Sequence, residues 1–535
     1  MEEVEIGEGG DIAREARPFF PYDAYRSYQA SAVNAMHDGL RQGRSILLEA
    51  PTGWGKTAVA LAAALSVADK MNLRVIYVCR TNQQIYTVLH ELAKVRRRGA
   101  DIKGLGLYGR HRLCIFPPVA SVRDPAFYHA CSAMKAAGRC PFHNVETKRF
   151  IDAAKITPWS CETLEEHRRI FQSKAFCPYE GLVMTLRDAD IVVTTYGHVF
   201  NRFMRSLLLG RMNANPREVL FIVDEAHNVP KLPQINPSVS STLFVRAAKE
   251  AEKYGFTDAG LTLKKIYKEL MEMQLEEGEA ILDQATFEGL KPADLYNIGR
   301  HVQEQKLFAG KVPASSLLTL VDFLSTTMEK DVMLALTTAG ERRFIEVTAL
   351  NPSRITKPVF KDAYASVAMS GTLSPLEAYV KITAMPHDTL ALKVPYPFPP
   401  ENLRVLLTKG VSTRLEERNA ALYHKIYRLL NAIEPNTGAP FGAAAFFASH
   451  ELLNQFIDFL SNYSFVTDFL GSSSLKLTWS DVFVEQRFMA VDEIHRLFMN
   501  FVDAASRGRA LLLAVQGGRL AEGVDYIANT LQTII

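Results

Sequence analysis

The residues best suited to chemistry fall in two short segments. Ala50-Pro-Thr-Gly-Trp-Gly-Lys-Thr57 follows the apolar run Ile46 to Leu48 and precedes an alanine-rich apolar stretch. That order predicts a strand, a phosphate-binding loop and a helix. In the loop, Thr52 accompanies Gly53 and Gly55, whose freedom lets backbone N–H groups turn inward on phosphates. Lys56 can reach the β and γ oxygens, and the Thr57 hydroxyl can take Mg2+. Ala50 stands where such loops usually begin with glycine. The second segment is "REVLFIVDEAHNVP", residues 217–230. Val219 to Val223 reads as a buried strand with Asp224 and Glu225 at its carboxyl end. Asp224 would hold Mg2+ and Glu225 would polarise an attacking water. Either segment alone could be a chance turn. Together, in these strand contexts, they point to hydrolysis of ATP with Mg2+, and to Lys56, Asp224 and Glu225 as the catalytic set.

Cysteines form the second concentration of reactive side chains. Of six, Cys79 stands alone, and Cys114, Cys131, Cys140, Cys161 and Cys177 fall between the two ATP segments. Four of them follow the spacing Cys114-x16-Cys131-x8-Cys140-x36-Cys177. Structural zinc sites usually carry a tight pair of cysteines separated by about two to four residues, and none is present. Disulfides are disfavoured in a reducing compartment. Buried unreactive thiols are the plain alternative. Four thiolates drawn from separated loops suit a 4Fe-4S cluster, which tolerates irregular spacing. Basic residues crowd the same region: Lys94, Arg96, Arg97 and Arg98 precede it, Arg110, His111 and Arg112 flank Cys114, and Arg139, Lys148 and Arg149 flank Cys140. Such runs are often solvated faces; a positively charged rim of this kind can also track a phosphate backbone.

These residues need several domains to position them. A chain of 535 residues exceeds one compact core, so about two to four domains are expected. With 48% hydrophobic and 22% charged residues and a net charge of +3, the composition is that of a soluble globular protein. The acidic start, "MEEVEIGEGGD", lacks an apolar signal region, and no apolar run reaches the roughly 18–20 residues of a membrane span. An intracellular protein without membrane attachment is expected. "GLTLKKIYKELMEMQLEEGEAIL" places Leu263, Ile266, Leu270 and Met273 on one helical stripe, predicting a helical insertion after Glu225. Strand-like runs return at "RFIEVTAL", "ASVAMSG", "AAAFFAS" and "ALLLAVQGG", as a second doubly wound sheet requires. The proline-rich "VPYPFPPENL" (394–403) reads as a linker.

DEAH and the ordered segments around it resemble superfamily 2 helicases. "RPFFPYDAYRSYQ" resembles the adenine-reading segment, with Gln29 as base contact and Tyr25 as stacking neighbour. "YVCRTNQQ" (77–84), containing Arg80 and Thr81, and "VVTTYGHVFN" (192–201) resemble loops that touch the nucleic-acid backbone. "AMSGTLSP" (368–375), "AAFFASHELL" (444–453) and "VQGGRLAEGVDY" (515–526) resemble helicase motifs III, IV and V, the last with Glu522 and Asp525. "GRHRLCIF", "HACSAMK", "RCPFHNVETKRF" and "FCPYEGLVMTLRDADIVV" are similar to the four cysteine segments of the XPD helicase family, in its archaeal form.

The resemblance implies an α/β fold of two RecA-like (P-loop) motor domains, the first carrying an inserted 4Fe-4S domain and a helical arch. It divides the chain into motor domain 1 (1–104, 181–234 and 346–400 with the linker), an iron–sulfur domain (105–180), an arch (235–345) and motor domain 2 (401–535). It implies Cys114, Cys131, Cys140 and Cys177 as cluster ligands, with Cys161 a spare thiol and Cys79 structural. Arg80, Thr81, Arg110, Arg112, Lys148 and Arg149 are the implied DNA contacts. The implied activity is ATP-driven 5′-to-3′ unwinding of forked or bubble DNA by a monomer on single-stranded DNA, in nucleotide excision repair. The setting would be the cytoplasm, near the nucleoid of an archaeal cell. A DinG-type helicase shares this motif order. A non-motor DNA-binding scaffold and a zinc-stabilised ATPase are the other readings. The family's motif VI, Q-x-x-G-R, is not found before "LQTII"; "QGGRL" (516–520) has the wrong spacing. The expectation is a C-terminally truncated chain with an incomplete second motor and impaired turnover.

Overall fold

The computed structural model describes residues 1–143, 158–234, 238–276, 278–328, 332–339, 342–433, 440–470, 477–487, 489, 491–521, 526 and 530–535. Its first strands are β1 (Glu2–Glu5), β2 (Ile46–Glu49), β3 (Arg74–Cys79), β4 (Gly104–Gly106), β5 (Ile191–Thr195), β6 (Val219–Val223), β7 (Ser238–Ser240) and β8 (Glu279–Leu282). The later ones are β9 (Val332–Ala339), β10 (Arg342–Ala349), β11 (Ala365–Ser370), β12 (Leu390–Lys393), β13 (Phe441–Phe447), β14 (Asp481–Val484), β15 (Arg509–Val515) and β16 (Thr533–Ile534). The chain divides into two compact units between Phe398 and Pro399, inside the proline-rich segment. No described helix is long and apolar enough to cross a membrane.

The first unit is built on a sheet in the order β1-β12-β2-β11-β6-β3-β5-β4, with every pairing parallel. Parallel strands buried on both faces read as continuous apolar runs, and β6 and β11 are buried at every position. The helix Lys56–Met71 follows β2. Its run from Ala58 to Ala68 is wholly buried, because alanine lets the helix lie close to the sheet while packing on several sides. Parallel neighbours need crossover connections, and two of these are enlarged. The β4–β5 crossover contains five of the six cysteines, and the β6–β11 crossover contains residues 238–349.

That second insertion differs from the helical one predicted. Its helices Thr242–Lys253, Thr257–Glu272, Pro292–Phe308 and Ser316–Thr327 pack on an antiparallel sheet, β7-β10-β9-β8, around a separate apolar core. The run "RFIEVTAL" forms β10 of this sheet, and "ASVAMSG" forms β11 at the centre of the first sheet. Neither joins the second parallel sheet to which chain order had pointed. Strand spacing along the chain does not encode which sheet a strand enters, because a crossover can return to the middle of an earlier sheet.

The second unit has the parallel sheet β14-β15-β13-β16. Alternation along its strands separates two cores. Ala443, Ala445, Phe447, Leu511 and Leu513 face the helices Ala420–Ala432 and His450–Leu470, while Ala444, Ala510, Leu512 and Ala514 face Val491–Arg507. The motif V residues Glu522 and Asp525 lie outside the described residues.

Candidate nucleotide site and cysteine cavity

The nucleotide site is formed where β2, β11, β6 and β3 end. The loop after β2 turns at Gly53 (φ +80°) and Gly55 (φ +102°), so both glycines occupy backbone regions that side chains rarely adopt. A Cβ on Gly55 would lie 2.6 Å from Gln29 Nε2, so that position also needs the missing side chain. Thr52 and Gly53 are exposed, and the helix that begins at Lys56 aims its N-terminal amides at the same opening. Lys56 Nζ donates to Ala50 O at 3.0 Å and Pro51 O at 3.2 Å. Burial lowers its pKa, and the charges of Glu225 and Asp224 oppose that shift.

Asp224 receives Tyr77 OH at 3.1 Å on Oδ2 and its neighbour's amide, Glu225 N, at 2.9 Å on Oδ1. Tyr77 OH also lies 3.5 Å from Thr57 Oγ1, tying the two halves of the expected Mg2+ site. Burial, then the adjacent Glu225 charge, pushes the Asp224 carboxyl up to about 6. Such a group gains from a bound cation, which removes the penalty of enclosing its charge. Glu225 has φ +49°, a left-handed conformation that costs about 1–3 kcal/mol for a residue with a side chain and concentrates at functional sites.

Sequence reasoning missed the side chains that hold this arrangement. His227 Nδ1 lies 2.6 Å from Ser370 Oγ and 3.3 Å from Glu225 Oε2, joining β11 to the acidic pair. Glu49, at the end of β2, accepts from Leu373 N at 2.7 Å, Ser374 N at 2.6 Å and Ser374 Oγ at 2.9 Å. It therefore fixes the "GTLSP" loop against the phosphate loop. A Cβ on Gly371 would sit 3.3 Å from Thr52 Oγ1. Gln29, read as an adenine contact, is buried with its amide already engaged: Nε2 donates to Trp54 O at 2.7 Å and Oε1 accepts from Arg26 N at 2.8 Å. Its visible work is to brace the loop. Trp54 does the same from the other side, donating Nε1 to Ser27 O at 2.9 Å. Tyr25 bonds Asp11 at 2.7 Å.

Cys114, Cys131, Cys140 and Cys177 line one small cavity, together with Arg110, Lys135, Phe116 and Phe142 among others. Each thiol comes from a different local structure. Cys114 ends the turn Arg110–Leu113, Cys131 lies in the helix Ala126–Ala136, Cys140 follows in a loop, and Cys177 precedes the helix Pro178–Thr185. Cys177 N donates to Phe142 O at 2.7 Å, which closes the loop on the helix. Burial pushes the Cys177 thiol up to about 11 and raises those of Cys114 and Cys131. Cys161 and Cys79 are buried and do not line the cavity. The local apolar cluster contains only Val119, Phe127 and Cys131 as buried members, too little to hold a subdomain alone.

Gly181 is a sensitive point of this region. An added Cβ would come within 2.2 Å of Phe171 Cδ1, so Gly181→Ala should cost about 1–3 kcal/mol by overpacking. A lower melting temperature is the expected result. An unchanged melting curve would show that Phe171 can move aside.

A family model described as DEAD_2 matches residues 77–243, and a DEAD/DEAH box helicase model matches residues 26–112. The ATP-dependent DNA helicase XPD of Sulfolobus acidocaldarius is 24% identical over 385 residues, which cover 69% of this chain and 62% of that relative. The general transcription and DNA repair factor IIH helicase subunit XPD of Dictyostelium discoideum is 22% identical, with 95% of this chain and 76% of the relative covered. A solved structure titled XPD_Helicase has a TM-score of 0.64 at 20% identity, covering 95% of this chain and 83% of its own. The chain is similar to XPD helicases of superfamily 2 in sequence and in fold.

The expected DNA contacts are scattered over this chain. Arg80 is exposed, and its amide and that of Thr81 lie 2.9 and 3.0 Å from Gln84 Oε1 in the cap of helix Asn82–Arg97. Arg112 is exposed. Arg110 instead turns onto the Tyr179 ring at 4.7 Å and lines the cysteine cavity. Arg139 donates to Leu307 O in the second insertion, where His129 also meets Asp322 at 2.6 Å. Lys94 pairs with Glu91 at 2.8 Å and Arg98 with Asp23, so much of that basic run is committed within the fold. Lys148 and Arg149 lie outside the described residues.

Proposed function

We propose that this chain is the motor of an ATP-dependent DNA helicase of XPD type, which moves on single-stranded DNA and opens forked or bubble duplexes 5′-to-3′. The observation that carries the reading is the convergence of Lys56, Thr57, Asp224 and Glu225 at the carboxyl edge of one parallel sheet, with Tyr77 and Ser370 linking them. Ligands of doubly wound sheets bind at that edge. In this role Lys56 and the loop amides hold the β and γ phosphates, Thr57 and Asp224 hold Mg2+, and Glu225 accepts the proton of the attacking water. Gln29 braces the loop from beneath and borders the base. Arg80, Thr81 and Arg112 contact the DNA backbone, as would Lys148 and Arg149. The protein acts as a monomer on chromosomal DNA in excision repair, within the cytoplasm.

Cys114, Cys131, Cys140 and Cys177 fit a 4Fe-4S cluster. Among the described residues no three His, Cys, Asp or Glu side chains converge to hold a single metal ion, yet four thiols surround one cavity. A polynuclear cluster accepts ligands spread more widely than one ion does, and Arg110 and Lys135 offset its negative charge. When bound, it crosslinks four segments that share only a small apolar core.

ATP hydrolysis measured with and without single-stranded DNA, together with unwinding of forks tailed on either strand, tests the motor. Turnover indifferent to DNA would sink it. Iron and zinc counted on protein purified without oxygen test the cluster, and zinc in place of iron would replace that assignment.

A further inference from the structure

We propose that Tyr196 is a positioning residue that sets the Glu225 carboxylate, with Tyr379 holding the other side of the same turn. The inference rests on the hydrolytic role given to Glu225 above. Three successive carbonyls run through the left-handed turn at Glu225, and side chains from outside the turn hold them. Tyr196 OH bonds Asp224 O and lies 2.9 Å from Glu225 O, sharing one proton between them. Tyr379 OH donates to Ala226 O at 2.8 Å. Asn228 Nδ2 adds a donor to Glu225 O at 3.1 Å.

The two tyrosines are only 6% and 5% exposed, so their hydroxyls meet these carbonyls instead of water. A buried donor of this kind is committed to its acceptor, and an abandoned carbonyl would seek another. Tyr196 opens the helix Tyr196–Phe200 that follows β5, and Tyr379 lies in the helix Leu376–Thr383, elements remote in sequence from the DEAH turn. Left to itself, a glutamate leaves the left-handed region, because its Cβ crowds the backbone there. Removing one hydroxyl keeps the packed ring but loosens the turn, and the Glu225 carboxylate swings from its place beside Asp224 and His227. A shift of about 1 Å at a catalytic group lowers rates about 100-fold.

Tyr196→Phe, Tyr379→Phe, Glu225→Gln and the double variant Tyr196→Phe/Glu225→Gln test this in DNA-stimulated ATP hydrolysis. Tyr196→Phe should lower kcat about 10- to 100-fold, with KM and affinity for a non-hydrolysable ATP analogue within about 2-fold. Tyr379→Phe should show the same split to a smaller degree. The double variant should be no slower than Glu225→Gln alone, since residues acting through one group do not add. A wild-type kcat in Tyr196→Phe, or a full additional loss in the double variant, overturns the inference. Equal losses of analogue affinity and kcat would make Tyr196 merely structural and overturn it too. A wild-type protein without DNA-stimulated turnover would instead fault the hydrolytic reading. The inference then stands on a crystal structure of Tyr196→Phe: a residue 225 that keeps its left-handed φ refutes it, and one that leaves that region supports it.

Discussion

Lys56→Ala should lower DNA-stimulated ATP turnover on the order of 10³-fold, while affinity for single-stranded DNA stays within about 3-fold. The ammonium lies against the Ala50 and Pro51 carbonyls and feels the Asp224 and Glu225 charges. It acts where charge grows on the transferred phosphoryl group, so its removal costs the transition state more than the ground state. A 10³-fold loss corresponds to about 4 kcal/mol. Alanine leaves the backbone turns at Gly53 and Gly55 available, and the expected DNA contacts Arg80 and Arg112 lie on other loops. Steady-state hydrolysis at saturating DNA, beside fluorescence anisotropy of a labelled strand, gives both quantities. Parallel loss of DNA affinity and rate would mean that the phosphate loop and the DNA track share Lys56.

Cys140→Ser should abolish duplex unwinding and strip most iron from the protein, yet retain much of the DNA-stimulated ATP hydrolysis. Serine is a poor iron ligand beside thiolate, and three remaining cysteines leave a cluster open on one side. The consequence should stay local. The cysteine segments occupy the β4–β5 crossover, whereas the phosphate loop and the acidic pair follow β2 and β6, nearer the sheet centre. Without the crosslink, the region keeps only the Val119, Phe127 and Cys131 cluster and its contacts to the second insertion, through Arg139 and His129. A loosened region of this kind could not present a firm edge to a duplex. Iron per chain, fork unwinding and ATP hydrolysis on one preparation decide the matter. Normal unwinding by iron-poor protein would refute the cluster's mechanical role.

Much of the fold was legible because its signals are local. A strand, two glycines and Lys-Thr within a few residues specify a phosphate loop wherever they occur. A run such as Val219 to Val223 ending in Asp-Glu specifies a buried strand with acids at its tip. The family resemblance rested on many such segments in order, and the DEAD_2 match and the XPD fold likeness agree with it. The second insertion was only half legible. The Leu263 stripe announced a helix, but β7 to β10 are short or partly exposed strands whose partners lie far along the chain. The setting of Arg110 was not legible for a related reason: charge in a sequence looks like surface, and nothing local reveals that Tyr179 offers a ring to it.

By itself the sequence determined which atoms can meet phosphate and metal: the Lys56 ammonium, the Thr57 hydroxyl, two carboxylates and a set of clustered thiols. Those choices depend on residue type and on spacings within one turn or one strand end. Only the tertiary structure decided how they are aimed. It inserted β11 between β2 and β6, and so brought Ser370 to His227 across 143 residues. It closed four cysteine segments around one cavity, turned the Gln29 amide onto the loop, and set two tyrosines on the carbonyls beside Glu225. These are contacts between elements distant in sequence, fixed by sheet order and packing, and no short segment of the chain specifies them.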